Sequence, residues 1–313
     1  MIDKFNRKIT YARISLTEKC NLKCKYCMPN GFCSINSNEL SDEQIKNIVK
    51  ALLSLRINKI RFTGGEPLMR KNVIKLLNEV CTFAPIDWAI TTNGTTLKHD
   101  AIYLKKAGIK HINISLDTLD SKDYKALTGA DLQNALEGFY TALDVGFDTI
   151  RINSVLIKGI SEKQIENLAK LTLKHNVDVR FIELMPIGQC AEYSENHLLK
   201  ADVVFQILKD LQIDVQDAHA PAKYYKLKGA KGRVGLITPM SCNFCSDCNR
   251  IRITADGKLK PCLHSDIEIN LCDVLHNEDL LKKRIQDAVN IKPERHYLNE
   301  NMYIKRNMTC IGG

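Results

Sequence analysis

Three cysteines, Cys20, Cys24 and Cys27, spaced C-x3-C-x2-C directly after the apolar run Tyr11 to Leu16, constrain this chain more than any other feature. Three thiolates so close together can hold three irons of a cubane cluster and leave one iron with an open coordination site. Ferredoxin clusters that only carry electrons are closed by four cysteines. A three-cysteine run that opens a domain therefore points to a cluster that binds a reactant. Zinc is the alternative, but structural zinc takes four N/S ligands, usually from C-x2-4-C pairs.

At 313 residues the chain exceeds the usual single core, so two domains, or one α/β barrel with an appendage, are the sizes to expect. The net charge of +9 suits an anionic ligand as well as nucleic acid. No Lys/Arg block marks a nucleic-acid tail, and one Trp and nine Phe offer little for base stacking. A zinc-bearing nucleic-acid binding module is thus the weaker reading. No apolar stretch approaches a membrane span, and the N-terminus lacks the apolar run of a signal peptide. A cytoplasmic protein with no membrane association is expected, and its twelve cysteines then argue for metal or redox chemistry over disulfides.

From Tyr11 to about Gly188 short β-branched runs alternate with amphipathic helical patterns. Strands are predicted at Tyr11 to Leu16, Lys59 to Thr63, Asp87 to Thr91, His111 to Leu116, Thr149 to Leu156 and Val179 to Leu184. Capping boxes are predicted at Ser41 with Gln44 and at Ser161 with Gln164. Six strands alternating with helices imply parallel pairing through right-handed crossovers, hence an α/β fold with a barrel or part of one over residues 1–188.

Reactive groups in such barrels gather at the C-terminal ends of the strands. The second predicted strand runs into Thr63, Gly64, Gly65 and Glu66, where paired glycines let backbone approach a ligand closely and Glu66 can accept from an ammonium. Period-2 alternation puts Arg151 and Asn153 on one face of the fifth strand and Ile150, Ile152 and Ser154 on the other.

Residues 189–313 break the pattern. A helical segment is expected around Ala201 to Leu211, and strand-like pieces at Tyr224 to Leu227 and Arg233 to Ile237. Then come Cys242, Cys245, Cys248, Arg250 and Arg252, with Cys262 further on. Four thiols satisfy zinc by count, while Cys245-x2-Cys248-x13-Cys262 also permits a second three-cysteine cluster with Cys242 spare.

The spacing C-x3-C-x2-C with Tyr26 inside it resembles that of radical S-adenosylmethionine enzymes. Together with Thr-Gly-Gly-Glu-Pro-Leu-Met-Arg, the later cysteines around Arg250 and Arg252, and the terminal Gly312 and Gly313, the chain is similar along nearly its whole length to the GTP 3′,8-cyclase family of molybdenum cofactor biosynthesis. The resemblance implies a partial (β/α)6 TIM-type barrel and a C-terminal region carrying a second iron-sulfur cluster. It implies two [4Fe-4S] clusters, one on Cys20, Cys24 and Cys27 and one on Cys245, Cys248 and Cys262. S-adenosylmethionine would lie among Tyr26, Gly65, Glu66, Ser115 and Met185. GTP would meet Arg13, Arg61, Thr91, Arg180, Arg250 and Arg252, with Arg151 where the family usually has a lysine, a change that keeps the charge but alters the donor geometry. Gly312 and Gly313 would reach the catalytic cavity.

The reaction so implied is abstraction of the ribose C3′ hydrogen of GTP by a 5′-deoxyadenosyl radical, closure onto guanine C8, then reduction and protonation. Its product, 3′,8-cyclo-7,8-dihydro-GTP, would pass to the next enzyme of molybdopterin synthesis. Reduced flavodoxin or ferredoxin is the expected electron donor, and a homodimer is among the expected assemblies. A peptide-modifying radical enzyme with an auxiliary cluster is the rival within the superfamily.

Overall fold

The computed structural model describes the chain except residues 29–37, 217–219, 243, 301–303 and 313, and the side chain of residue 299. Six parallel strands, β1 (Tyr11–Ser15), β2 (Lys59–Thr63), β3 (Asp87–Thr92), β4 (His111–Ser115), β5 (Thr149–Leu156) and β6 (Asp178–Glu183), lie side by side in chain order. Their bounds fall within one residue of those expected. Between them run α1 (Asp42–Ser54), α2 (Val73–Val80), α3 (Leu97–Lys106), α4 (Ser121–Thr128), α5 (Leu132–Val145) and α6 (Ile165–Lys174).

Each strand carries β-branched or aromatic residues toward the helices, such as Ile14, Ile60, Phe62, Ile112 and Ile152, all fully buried. Fully burying one such side chain is worth about 1.5–3 kcal/mol, so this helix-facing layer fixes the register of every strand. Trp88 and Phe62 stack there at 6.0 Å between ring centroids. The opposite face of the same strands carries the polar residues, as the alternation in β5 required.

The α1 capping box forms as expected, with Ser41 Oγ accepting from Gln44 N and Gln44 Oε1 accepting from Ser41 N. The box expected at Ser161 does not form. Ser161 Oγ instead accepts from Ile157 N at 2.8 Å and donates to Val155 O, Gln164 Oε1 accepts from Leu119 N, and α6 begins only at Ile165. Tertiary partners there outcompete the local motif.

The remainder of the chain contributes α7 (Ala191–His197), α8 (Asp202–Ile207), β7 (Gln212–Ile213), β8 (Lys223–Lys226), β9 (Arg233–Ile237), β10 (Arg250–Ile253), β11 (Lys258–Lys260), β12 (Ile269–Asn270), α9 (Glu278–Asn290) and α10 (Met308–Ile311). The expected helix over Ala201 to Leu211 is shorter, because the chain turns into β7. The C-terminal region also extends the six-stranded sheet: β9 pairs in parallel with β6 and β10 in parallel with β1. Eight consecutive parallel strands result, extended by the antiparallel pieces β11–β12 and β8–β7. The sheet is open among the described residues, since its end strands β12 and β7 do not pair with each other. Among the described residues no helix is long and apolar enough to cross a membrane.

Candidate active site

One cavity of about 600 Å³ is lined from all eight parallel strands, so the sheet wraps around it. Both cysteine trios open onto this space, as do all the arginines singled out from the sequence.

The first trio sits on the loop after β1, and that loop is held mostly by backbone. Gly65 N donates to Thr17 O at 2.8 Å and Glu66 N to Lys19 O at 2.7 Å. A Cβ on Gly65 would lie 2.5 Å from the carbonyl oxygens of Glu18 and Lys19, and one on Gly64 2.7 Å from that of Thr17. The paired glycines therefore admit the cysteine loop itself, and Gly65 still lines the cavity. Lys23 N and Lys25 N donate to Thr128 O and Leu127 O, and Cys27 N and Met28 N both donate to Cys24 O. Tyr26 Oη donates to Asp117 Oδ2 at 2.8 Å, while Asp117 Oδ1 accepts from Val155 N at 2.7 Å, pinning the loop across the ends of β4 and β5.

Burial pushes the Cys20 and Cys24 thiols up, and Cys24 is raised further by Asp117 and by its neighbours Cys27 and Cys20. Three soft sulfur donors that line one cavity suit a thiophilic iron cluster, whose charge would favour the thiolates that burial disfavours.

Glu66 is fully buried and already accepts from Asn93 N, Thr92 Oγ1 and Leu68 N. Its carboxylate thus ties the glycine loop to the end of β3 while lining the cavity. Burial raises its pKa from 4.5 to about 7. Between those values the unfolded chain releases a proton that the folded chain keeps, so stability falls as pH rises through this window, by roughly 3 kcal/mol for a shift of this size. Urea unfolding of the cluster-free chain from pH 4.5 to 7 should show a shallower decline for Glu66→Gln than for the unaltered chain. Equal slopes would contradict this.

The second trio is anchored from three directions. Glu183, at the end of β6 and fully buried, accepts from Met240 N and Ser241 N at 3.0 Å each, from the Ser241 hydroxyl and from Ala201 N. Arg7, ion-paired to Asp3, donates to Cys245 O, Glu294 O and Pro293 O. The buried Lys292 donates to Arg250 O and Pro261 O, next to Cys262. Burial pushes the Cys248 thiol up, but Arg250 and Lys292 more than offset it and bring it down to about 6. Cys245, Cys248 and Cys262 line the cavity, whereas Cys242 is exposed and does not.

Between the trios lies a belt of cations. The parallel register sets Arg252 of β10, Arg13 of β1 and Arg61 of β2 side by side across three strands. Arg61 donates from Nε to Tyr11 Oη at 2.8 Å and from Nη1 to Ile90 O and Thr91 Oγ1. Arg180 donates to Tyr224 Oη at 2.8 Å, and Arg151 pairs with Asp178, which also holds Arg233. Burial and neighbouring guanidiniums bring Arg13 and Arg180 down to about 10 and Arg252 well below its ordinary value. Burial raises the Tyr11 phenol, but Arg61 and Arg13 bring it down to about 7. Like charges confined this closely in a shielded site call for an anionic ligand.

Sequence reasoning missed Tyr11, Lys59 and Asn113, which also line the cavity. A signal existed: each stands two residues from a chosen position, Arg13, Arg61 and Ser115, and so shares its strand face. Asp117 and Glu183 likewise stand two residues from chosen positions, Ser115 and Met185, whereas Arg7 carried no such spacing.

The C-terminal segment is docked. Ile187, Ile304 and Ile311 form a small buried apolar cluster, Gly188 N donates to Ile304 O, and Gln189 N to Asn307 Oδ1. Gly312 is buried at φ +79°, a backbone region that favours glycine, and a Cβ there would lie 2.5 Å from Thr63 Oγ1. Its carbonyl accepts from Arg252 Nη1. Gly313 lies outside the described residues.

The Radical SAM superfamily model matches residues 14–172, and the Molybdenum Cofactor Synthesis C model matches residues 177–298. The GTP 3′,8-cyclase of Alkaliphilus metalliredigens is 45% identical over 320 residues, covering 100% of both chains. That of Clostridium acetobutylicum is 42% identical over 319 residues, again covering 100% of both. Among solved structures, SuiB of Streptococcus suis bound to S-adenosylmethionine is similar with a TM-score of 0.64 at 18% identity, over 97% of this chain and 77% of that one. A second S-adenosylmethionine-bound structure, anSMEcpe, has a TM-score of 0.58 at 18% identity, over 86% of this chain and 81% of that one. These two likenesses establish the fold. Identity to the cyclases along the full chain, with both family models in order, establishes that this chain belongs to the GTP 3′,8-cyclase family of the radical S-adenosylmethionine superfamily.

Proposed function

We propose that this chain converts GTP to 3′,8-cyclo-7,8-dihydro-GTP, the first step of molybdopterin biosynthesis. The observation that carries this reading is the belt of arginines on adjacent strands between two cysteine trios in one cavity. The family match removes the peptide-modifying enzyme and the zinc module from contention.

Cys20, Cys24 and Cys27 are assigned to the first [4Fe-4S] cluster, with S-adenosylmethionine among Tyr26, Gly65, Glu66, Ser115 and Met185. Cys245, Cys248 and Cys262 are assigned to a second cluster, and the exposure of Cys242 supports leaving it out. With the first cluster and S-adenosylmethionine bound, one-electron cleavage of the sulfonium supplies a 5′-deoxyadenosyl radical.

The chain's own residues do the rest by holding and excluding. GTP carries about four negative charges, and Arg13, Arg61, Arg151, Arg180, Arg250 and Arg252 can meet them with charge-assisted, partly paired N–H donors. Thr91, already in contact with Arg61, adds a hydroxyl. Arg151 keeps the charge of the family's lysine but is tethered by Asp178, which limits its reach. The wrapped sheet keeps other hydrogen donors from the ribose, and the fixed belt sets C3′ at contact distance. Gly312, held by Arg252, orients that arginine toward the substrate, and we extend the role to Gly313.

Residues 1–188 are assigned as the barrel and 189–313 as the second-cluster and substrate-binding region, joined through one sheet. A reduced flavodoxin or ferredoxin as donor, transfer to the next enzyme of molybdopterin synthesis, homodimer assembly and a cytoplasmic location complete the proposal. Anaerobic incubation with GTP, S-adenosylmethionine and dithionite tests it. A nucleotide of the same mass as GTP but separate chromatographic mobility is expected, and unaltered GTP beside cleaved S-adenosylmethionine would overturn it.

A further inference from the structure

The tail lines the cavity with Met308 and Thr309 and reaches Arg252 through the Gly312 carbonyl, and its final helical turn is too short to set that register alone. Arg306 stands six residues before Gly312. Its Nη1 donates to both carboxylate oxygens of Glu268 at 3.1 and 2.9 Å, and its Nη2 donates to Asp256 Oδ1 at 2.6 Å and Glu18 Oε1 at 3.3 Å. These acids belong to separate parts of the fold. Glu18 precedes Cys20 by two residues, Asp256 lies in the turn between β10 and β11, and Glu268 adjoins β12.

We propose that Arg306 is a positioning residue that registers the C-terminal tail against Arg252, by clamping the tail to the first-trio loop and to the β10–β11 hairpin at once. The proposal rests on the reading of the tail given above. The clamp is shielded: the side chains of Glu18 and Asp256 are only 5% and 7% exposed and that of Arg306 18%, so the pairs exceed ordinary surface ion pairs in strength. Between Arg306 and Gly312 the chain runs through α10, whose single turn transmits a displacement instead of absorbing it. The hairpin does not depend on the clamp, since Lys258 pairs with both Asp256 and Glu268 and Lys260 with Glu268. A lysine at position 306 lacks the planar fork that meets three carboxylates together.

The test compares Arg306→Ala, Arg306→Lys and a chain lacking Gly312 and Gly313. Hydrogen exchange of residues 304–312 is read on the cluster-free chain, and product formation and S-adenosylmethionine cleavage on the reconstituted one. For Arg306→Ala, exchange should quicken and product formation should fall, each about tenfold or more. S-adenosylmethionine cleavage should stay within about twofold, and Arg306→Lys should fall between. If the truncated chain makes no product while Arg306→Ala exchanges and turns over normally, Arg306 has no such role and the tail reading stands. If truncation leaves product formation unchanged, the tail reading fails and the proposal with it. Loss of iron in Arg306→Ala would instead mark it as a support of the first cysteine loop and overturn the proposal.

Discussion

Replacing Cys24 with alanine should abolish cleavage of S-adenosylmethionine and remove about half of the iron, from roughly eight irons per reconstituted chain at four per cubane cluster. The loop around Cys24 is held by backbone bonds from Lys23, Lys25, Gly65 and Glu66 and by the Tyr26–Asp117 link, none of which involves the thiol. Folding should therefore survive, with the melting temperature of the cluster-free chain little changed. Cys262→Ala should also remove about half of the iron. Yet it should leave some cleavage of S-adenosylmethionine uncoupled from GTP, because the first trio is untouched. Loss of that same half of the iron in Cys242→Ala would mean that the second set of ligands is misassigned.

The second large effect is expected at the tail. A chain lacking Gly312 and Gly313 should keep both clusters and cleave S-adenosylmethionine, while cyclisation falls on the order of a hundredfold, the scale of a misplacement near 1 Å in a site that works by positioning. Arg252 connects the tail to the belt. Arg252→Ala should therefore weaken GTP binding or correct hydrogen abstraction about tenfold or more, the effect of removing one charged hydrogen-bond donor from a shielded site. Gly312→Ala should fall between the two, since a side chain at φ +79° beside Thr63 forces the carbonyl away from Arg252. Single-turnover assays of 5′-deoxyadenosine and nucleotide product separate these outcomes. Unchanged product after truncation would remove the tail from the mechanism.

The six-stranded parallel core was legible because its signals are local. β-branched runs bounded by turn residues placed all six central strands, and alternation along β5 put Arg151 and Asn153 toward the cavity. The same reliance on local pattern misplaced the second capping box, where Gln164 serves Leu119 instead of its own helix. Strand β10 was legible only in part: Arg250 and Arg252, two residues apart, share one side of an extended segment, but nothing near them names its partner strand. What makes it a strand is pairing with β1, more than two hundred residues earlier in the chain. The same pairing brings Arg252 beside Arg13. The contacts of Asp117, Glu183 and Arg7 were silent for a related reason: each acts on a loop distant in sequence, and although Asp117 and Glu183 stand at strand ends, nothing in their neighbours announces the partner.

The most direct test of the reading is the fate of a single hydrogen. With GTP deuterated at C3′, S-adenosylmethionine and dithionite under anaerobic conditions, deuterium should appear in 5′-deoxyadenosine. The nucleotide product should be one mass unit lighter than the labelled substrate, since it loses deuterium from C3′ and gains one electron and one proton as the C3′–C8 bond closes. Deuterium retained in the nucleotide, with unlabelled 5′-deoxyadenosine formed, would contradict abstraction at C3′ and with it the assignment of this cavity as a GTP cyclase site.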